Sequence, residues 1–172
     1  MGVALAIDEP AGQSVSAADF RAALGHFATG VTVVTALGPD GGKHGVTATS
    51  FGSLSLDPPL VQWSLRTAAF LHPIFSAADR FAINILASDQ EGVSQTFASR
   101  VADRFAVTPH HAGAHGLPLI DGALAWIECA TEARHQGGDH SLFIGRVLTA
   151  RRQPREPLLH WAGKYHRLPG AA

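Results

Sequence analysis

Residues 45–59 read Gly-Val-Thr-Ala-Thr-Ser-Phe-Gly-Ser-Leu-Ser-Leu-Asp-Pro-Pro, with five hydroxyl side chains and two glycines in the eleven positions from Gly45 to Ser55. Short hydroxyls and exposed backbone N–H groups at that density suit a neutral cradle for a polar, phosphate-bearing ligand, and a flat molecule can lie along such a segment. A phosphate held there needs a cation nearby. Arg66 and Arg100 are the candidates, although taken singly each reads as a solvated surface charge. Asn84 sits on the strand face opposite Phe81, Ile83 and Ile85, where its amide serves either a ligand edge or a neighbouring strand. His140 follows Gly137-Gly138-Asp139 at a strand entrance. A turn there aims the imidazole in one direction, or Asp139 and His140 simply close the turn. Trp63, Trp126 and Trp161 act as stacking platforms or, more commonly for strand aromatics, as core.

Other chemistries fall away. No G-x-G-x-x-G follows a strand, so a Rossmann dinucleotide site is not indicated. Gly38-Pro-Asp-Gly-Gly-Lys-His44 is one residue short of a P-loop and has His44 where a magnesium-ligating Ser or Thr belongs, so it reads as a hairpin turn. There is no G-x-S-x-G elbow, and one cysteine, Cys129, excludes a multi-thiolate metal site or an intrachain disulfide. Among ten histidines, His110, His111 and His115 cluster in a Pro/Gly-rich stretch without H-E-x-x-H spacing and read as solvated loop residues rather than metal ligands.

The elements that must position these groups follow from composition and periodicity. At 172 residues, 46% hydrophobic and 16% charged, the chain suits one compact domain with a sizeable core. A net charge of −1 gives no electrostatic reason to expect nucleic acid or an acidic membrane surface. The longest stretch without a charged residue, Ala22 to Pro39, carries Gly, Thr and His and falls short of the ~20 apolar residues of a membrane span. The N-terminus lacks the basic start and long apolar core of a signal peptide, and a lone cysteine agrees with a reducing cytoplasm. Residues 1–15 read as a flexible tail and 16–172 as the folded domain.

Ser16 with Asp19 starts a helix that places Phe20, Leu24 and Phe27 on one face, with Gly30 as its end. Val31–Leu37 and His44–Thr49 form a hairpin around Gly38–Gly42. Leu60–Leu65 is a third strand, Thr67–Ala78 a short helix bent or started near Pro73, and Phe81–Leu86 a fourth strand. Ser88-Asp-Gln-Glu91 is a capping box opening a helix with Val93, Phe97 and Val101 at spacing four. Residues 103–120 read as a loop. Ala123–Arg134 and His140–Arg151 form a long hairpin, and Leu158–Leu168 closes the chain. About six mostly hairpin-connected strands and three helices predict an α+β, mainly β fold, an antiparallel barrel with helices packed on its ends.

One resemblance adds what spacing leaves open. The ordered set Phe27-Ala-Thr-Gly-Val-Thr-Val-Val-Thr35, Gly45-Val-Thr-Ala-Thr-Ser-Phe51 and Ser53-Leu-Ser-Leu-Asp-Pro-Pro-Leu60 continues through Phe81-Ala-Ile-Asn-Ile-Leu86, Arg104-Phe105, Gly116-Leu-Pro118, Gly138-Asp-His140 and Phe143-Ile-Gly-Arg-Val147. This set resembles the flavin reductase family, the short-chain reductase components of two-component flavin monooxygenases. The resemblance implies an FMN-binding split barrel, a homodimer with flavin near the subunit interface, and reduction of FMN or FAD by NADH or NADPH. Reduced flavin would pass to a separate monooxygenase. It also implies that Thr47, Ala48, Thr49 and Ser50 line the isoalloxazine. Ser53, Ser64 and Arg66 would surround the ribityl-phosphate side, with Arg100 a further candidate. Asn84 and Leu86 would lie on the strand beside the flavin, Tyr165 where the closing strand approaches it, and His140 at the nicotinamide side. Two alternatives share the fold: an FMN electron carrier without nicotinamide turnover, and a split-barrel reductase acting on another substrate such as a cobalt corrinoid.

Overall fold

The computed structural model describes residues 15–168. The expected N-terminal tail, apart from Val15, lies outside the described residues. The described chain runs α1 (Ala17–Gly25), β1 (Thr29–Gly30), β2 (Thr32–Leu37), β3 (Lys43–Ala48), β4 (Gly52–Leu56) and β5 (Pro59–Arg66). It continues through α2 (His72–Ala77), β6 (Arg80–Ile85), α3 (Glu91–Ala98), β7 (His110–Ala112) and β8 (Pro118–Ile120). The last elements are β9 (Ala125–Gly137), β10 (His140–Arg152), β11 (Leu159–Trp161) and β12 (Lys164–His166).

Seven strands form one antiparallel sheet in the order β3-β2-β6-β9-β10-β5-β4. Local chemistry sets its turns. Between β2 and β3, Gly41 takes a φ of 77° and Asp40 Oδ1 accepts from Gly42 N at 2.9 Å, the hairpin turn expected there. Between β9 and β10, Gly138 takes a φ of 59°. Asp57–Pro58, a cis peptide, turns β4 into β5.

The sheet curls because its inner face must be buried. Val34 and Ala36 from β2, Val61, Trp63 and Leu65 from β5, Phe81 and Ile83 from β6, and Phe143 from β10 share one core cluster. Strands at opposite ends of the strand order meet there only if the sheet wraps on itself. Trp63 lies at its centre, fully buried, stacked on Phe143 at 4.7 Å and edge-on to Phe75 at 5.0 Å. Burying such a side chain contributes roughly 2–3 kcal/mol. The edge strands β3 and β4 do not pair with each other, so the barrel is split. A side-chain staple draws its lips together: Ser50 Oγ accepts from Ser64 N at 3.0 Å and donates to Ser64 O at 3.1 Å.

The opposite sheet face carries a second cluster, in which Val31, Val33, Leu86, Phe97, Ile120 and Leu158 pack α3 and the closing segment onto β2 and β6. Gly45 is required beneath α3, since a Cβ there would stand 2.5 Å from Phe97 Cε1.

Four expectations are corrected. The first helix ends at Gly25 with His26 as its C-cap rather than at Gly30, so Phe27 lies beyond it. Ser16 does cap it, accepting from Asp19 N at 3.1 Å, but Phe20, Leu24 and Phe27 are 59%, 56% and 75% exposed. The Ser88–Glu91 capping box does not form. Ser88 N donates to Glu156 O, keeping that segment along the closing strand. The helix starts at Glu91, and Gln90 instead accepts from Ala87 N and donates to Asp121 O. It ends at Ala98, leaving Val101 outside and exposed. Only His72–Ala77 of the 67–78 stretch is helical, with Pro73 at its start, where a missing N–H costs nothing.

The 103–120 stretch is not wholly loop. It holds the β7–β8 hairpin, whose Leu117, Leu119 and Ile120 are buried. Glu128, itself buried, fixes that hairpin by accepting from Ala114 N and His115 N at 3.0 and 2.9 Å, and from Thr149 Oγ1 at 3.0 Å. No helix among the described residues is long and apolar enough to cross a membrane.

Candidate functional site

An open cleft of about 1000 Å³ lies between β3, the turn after β5 and the segment after α3. Its walls are Lys43–Thr47, Ala68–Leu71 and Phe97–Phe105. Lys43, Arg100 and Arg104 line it against the single carboxylate of Asp103, so its field is positive. That sign and size suit a ligand with phosphate groups and a planar ring.

The cations differ in how far they are committed. Arg104 donates to Gly45 O at 2.9 Å and to Ser99 O, which ties the segment after α3 to β3. Burial lowers its pKa. Lys43 donates to His110 Nε2 at 2.7 Å, and His110 Nδ1 donates to Thr108 O at 2.8 Å. Since an ammonium only donates and a carbonyl only accepts, this arrangement assigns Nε2 as the acceptor and Nδ1 as the donor. Arg100 is exposed and makes no ion pair among the described residues, which leaves its fork available.

The His140 turn adjoins one wall. His140 pairs with Arg66 in the β10–β5 ladder, and Thr67 N donates to Asp139 O at 3.0 Å. His140 Nδ1 meets Asp139 Oδ1 at 2.8 Å, and Arg66 Nε lies 3.8 Å from Asp139 Oδ2. These bonds hold Asp139 below the usual carboxylate range, chiefly through the His140 hydrogen bond and charge, with a smaller attraction from Arg66. A lowered carboxylate pKa favours the fold above its unfolded value, and this is lost as pH falls through the lower folded value. Around neutrality Asp139 is therefore ionised and holds His140 through Nδ1, while Nε2 makes no hydrogen bond among the described residues.

The hydroxyl-rich segment divides once its partners are counted. Thr47 lines the cleft, but its Oγ1 donates to Ser94 O at 2.7 Å. Ala48 O accepts from Thr32 Oγ1 at 2.8 Å. Ser50 is consumed by the barrel staple, and its partner is the Ser64 backbone. Thr49 and Ser53 are exposed and make no side-chain hydrogen bond among the described residues, so their hydroxyls are open to a ligand. Tyr165 OH shares a 2.8 Å bond with Ser94 Oγ and packs against the second core cluster.

Asn84 and Leu86 are corrected. Both have no exposed surface. Asn84 donates to Val33 O at 2.9 Å and to Thr35 Oγ1 at 3.2 Å, and accepts from Ile120 N at 2.8 Å. Its amide stitches β6 to β2 and β8, and a ligand cannot touch it; Leu86 is core. Of the tryptophans, Trp63 is core and Trp126 donates to Ile120 O at 2.8 Å. Trp161, at 43% exposure, donates to His26 O at 3.3 Å.

Sequence reasoning passed over Lys43, whose segment was set aside as a hairpin turn. It also passed over Phe70, which is 93% exposed on the cleft wall, and Ser94, which joins Thr47 to Tyr165. An aromatic inside a stretch expected to be helical gave Phe70 no distinguishing signal.

Residues 24–169 match the family model described as flavin reductase like domain. The FMN reductase (NADH) SmoA of Agrobacterium fabrum is 45% identical over 148 residues, covering 86% of this chain and 84% of that protein. The flavin-dependent monooxygenase, reductase subunit HsaB of Rhodococcus jostii is 37% identical, covering 90% of this chain and 80% of its own. The crystal structure of the Streptomyces globisporus C-1027 NADH:FAD oxidoreductase SgcE6 in complex with NAD and FAD fragments superposes with a TM-score of 0.85 at 40% identity. The match covers 90% of this chain and 94% of that one.

Proposed function

The chain belongs to the flavin reductase-like family, and from that premise we propose that it is an NAD(P)H:flavin oxidoreductase that reduces FMN or FAD and supplies reduced flavin to a separate monooxygenase. The single observation that carries the reading on this chain is the cleft itself. It is positive, about 1000 Å³ in volume, and walled by β3 and by Ala68–Leu71, a span that Thr67 ties to the turn holding His140. It has room for a flavin with a nicotinamide nucleotide against one face. The flavin, when bound, supplies the two-electron redox centre that takes hydride from the nicotinamide.

The chain's own residues bind, orient and shield. Backbone around Thr47–Ser50 flanks the ring system, with Thr49 and Ser53 as the free hydroxyls. Arg66 and Arg100 neutralise phosphate. Asp139 fixes the His140 ring so that Nε2 meets the nicotinamide nucleotide. No side chain needs to transfer a proton for hydride to move, and alignment does most of the work. Asn84 and Leu86 act one layer back, keeping β6 and β2 in register behind the cleft.

The chain acts as a homodimer in the cytoplasm, with residues 16–172 as one domain. The exposed Phe20, Leu24 and Phe27 supply an apolar face for the second copy, and a light-scattering mass equal to one chain would remove this part of the reading.

The test of the whole is NADH and NADPH consumption with FMN and FAD in all four pairings. Rapid, flavin-dependent loss of reduced nucleotide is the expected result. A stable yellow protein inert to both nucleotides would instead establish the electron carrier.

A further inference from the structure

The β10–β5 ladder ends at the His140–Arg66 rung, and the next residues of the β5 chain leave the sheet. From that point Ala68–Leu71 forms a cleft wall without ladder support, yet both of its ends are clamped to the His140 turn. At the first end, Thr67 gives both N–H and Oγ1 to Asp139 O, at 3.0 and 3.2 Å. At the second, His72 Nε2 meets Ser141 Oγ at 2.9 Å. Two turn bonds, Ala69 N to Arg66 O at 3.0 Å and His72 N to Ala69 O at 2.9 Å, stiffen the span between.

The second clamp is referenced to the barrel core. The His72 ring lies edge-on to Phe143 at 6.3 Å, and Phe143 is the ring stacked on Trp63. Ser141 is 9% exposed and adjoins His140 in the chain. Ser76 Oγ approaches His72 Nδ1 only at 3.4 Å, so Ser141 is the imidazole's strong partner. Core, His72, Ser141 and His140 thus form one mechanical series, with Phe70 carried on the clamped span.

We propose that His72 and Ser141 are positioning residues whose bond fixes the Ala68–Leu71 wall relative to His140, holding the nicotinamide nucleotide in register with the imidazole. This rests on the reductase reading for its catalytic consequence. The mechanical claim stands on the clamp alone.

Ser141→Ala and His72→Phe both delete the bond while keeping the packing, and His72→Gln keeps a donor at the reach of the imidazole Nε2. Amide hydrogen exchange in the whole chain is the first readout. Exchange at Thr67–Leu71 should quicken about tenfold in Ser141→Ala and in His72→Phe, the change that loss of one hydrogen bond gives. The Ser141→Ala/His72→Phe double variant should be no faster than either single, because the pair acts as one unit. The second readout is steady-state kinetics. The KM for reduced nucleotide should rise about tenfold, kcat should change less, and the flavin Kd by fluorescence titration should hold within about twofold, with His72→Gln recovering part of the loss. Wild-type exchange rates at 67–71 in both single variants would overturn the proposal. So would a flavin Kd that weakens in parallel with the nucleotide KM. A wild-type protein that consumes no reduced nucleotide defeats the reductase reading instead, while the exchange data still decide the clamp.

Discussion

Two polar clusters on the same barrel have opposite fates. Around Asn84, with no exposed surface, each hydrogen bond made by the amide goes to the protein. Around His140, the side chains of Arg66, Asp139 and His140 are 66%, 74% and 40% exposed, and one ring nitrogen of His140 makes no hydrogen bond among the described residues. Both clusters consist of polar residues in or beside strands. The difference lies in whether donor and acceptor capacity has already been spent. A spent group stabilises the fold and is invisible to a ligand; an unspent group at a cleft edge is where recognition begins.

The sharpest way to break that comparison is Asn84→Ala. It leaves the buried Ile120 N without its acceptor and removes the amide's bonds to Val33 O and Thr35 Oγ1, and should cost about 3 kcal/mol in urea unfolding, with unchanged nucleotide kinetics in the protein that remains folded. Loss of nucleotide affinity with full stability would reverse the two assignments.

At the other cluster, His140→Ala should move the unfolding midpoint little, because the Asp139–His140 pair is exposed and screened by solvent. It should raise the nicotinamide-nucleotide KM about tenfold, equivalent to roughly 1.4 kcal/mol, and disturb flavin binding much less. Equal nucleotide kinetics in mutant and wild type would take His140 out of the site.

Ser50 tests the boundary between the clusters, because it is exposed yet spent. Ser50→Ala removes the barrel staple and should destabilise by about 1 kcal/mol, read as a shift of the denaturant midpoint without a change in flavin Kd. A weakened flavin Kd with the midpoint unmoved would return Ser50 to the ligand.

The smallest effect is expected at Cys129. Burial, reinforced by the Glu128 charge, pushes its thiol up to about 12, so the native protein should not react with a thiol reagent at pH 8 and should react fully once unfolded. Rapid native-state labelling would mean that the β6–β9 region opens readily.

Much of the fold was legible from local pattern. The β-branched run before Gly38, the glycine turn at 137–139 and the alternation of Phe81, Ile83 and Ile85 each state a strand through sterics confined to neighbours. The 103–120 stretch was not legible in this way. Its hairpin is held by Glu128, a carboxylate reaching from β9 across 13 and 14 positions, and its buried Pro118–Ile120 face is covered by distant strands. The capping box at Ser88 failed for the same reason: Glu156, far along the chain, claimed the N–H the box would have used.

The sequence by itself determined that strands 31–37, 44–49 and 81–86 exist, that a glycine turn joins the first two, and that the set resembles flavin reductases. Propensity and turn chemistry act between residues a few positions apart, so those properties survive in one dimension. Only the tertiary structure decided which polar atoms remain free. Ser50 found its partner 14 positions away, Thr47 found one 47 away, and Asn84 found one 51 away. A hydrogen bond is short and directional, so whether a hydroxyl or amide faces a ligand is fixed by what the folded chain brings within about 3 Å of it.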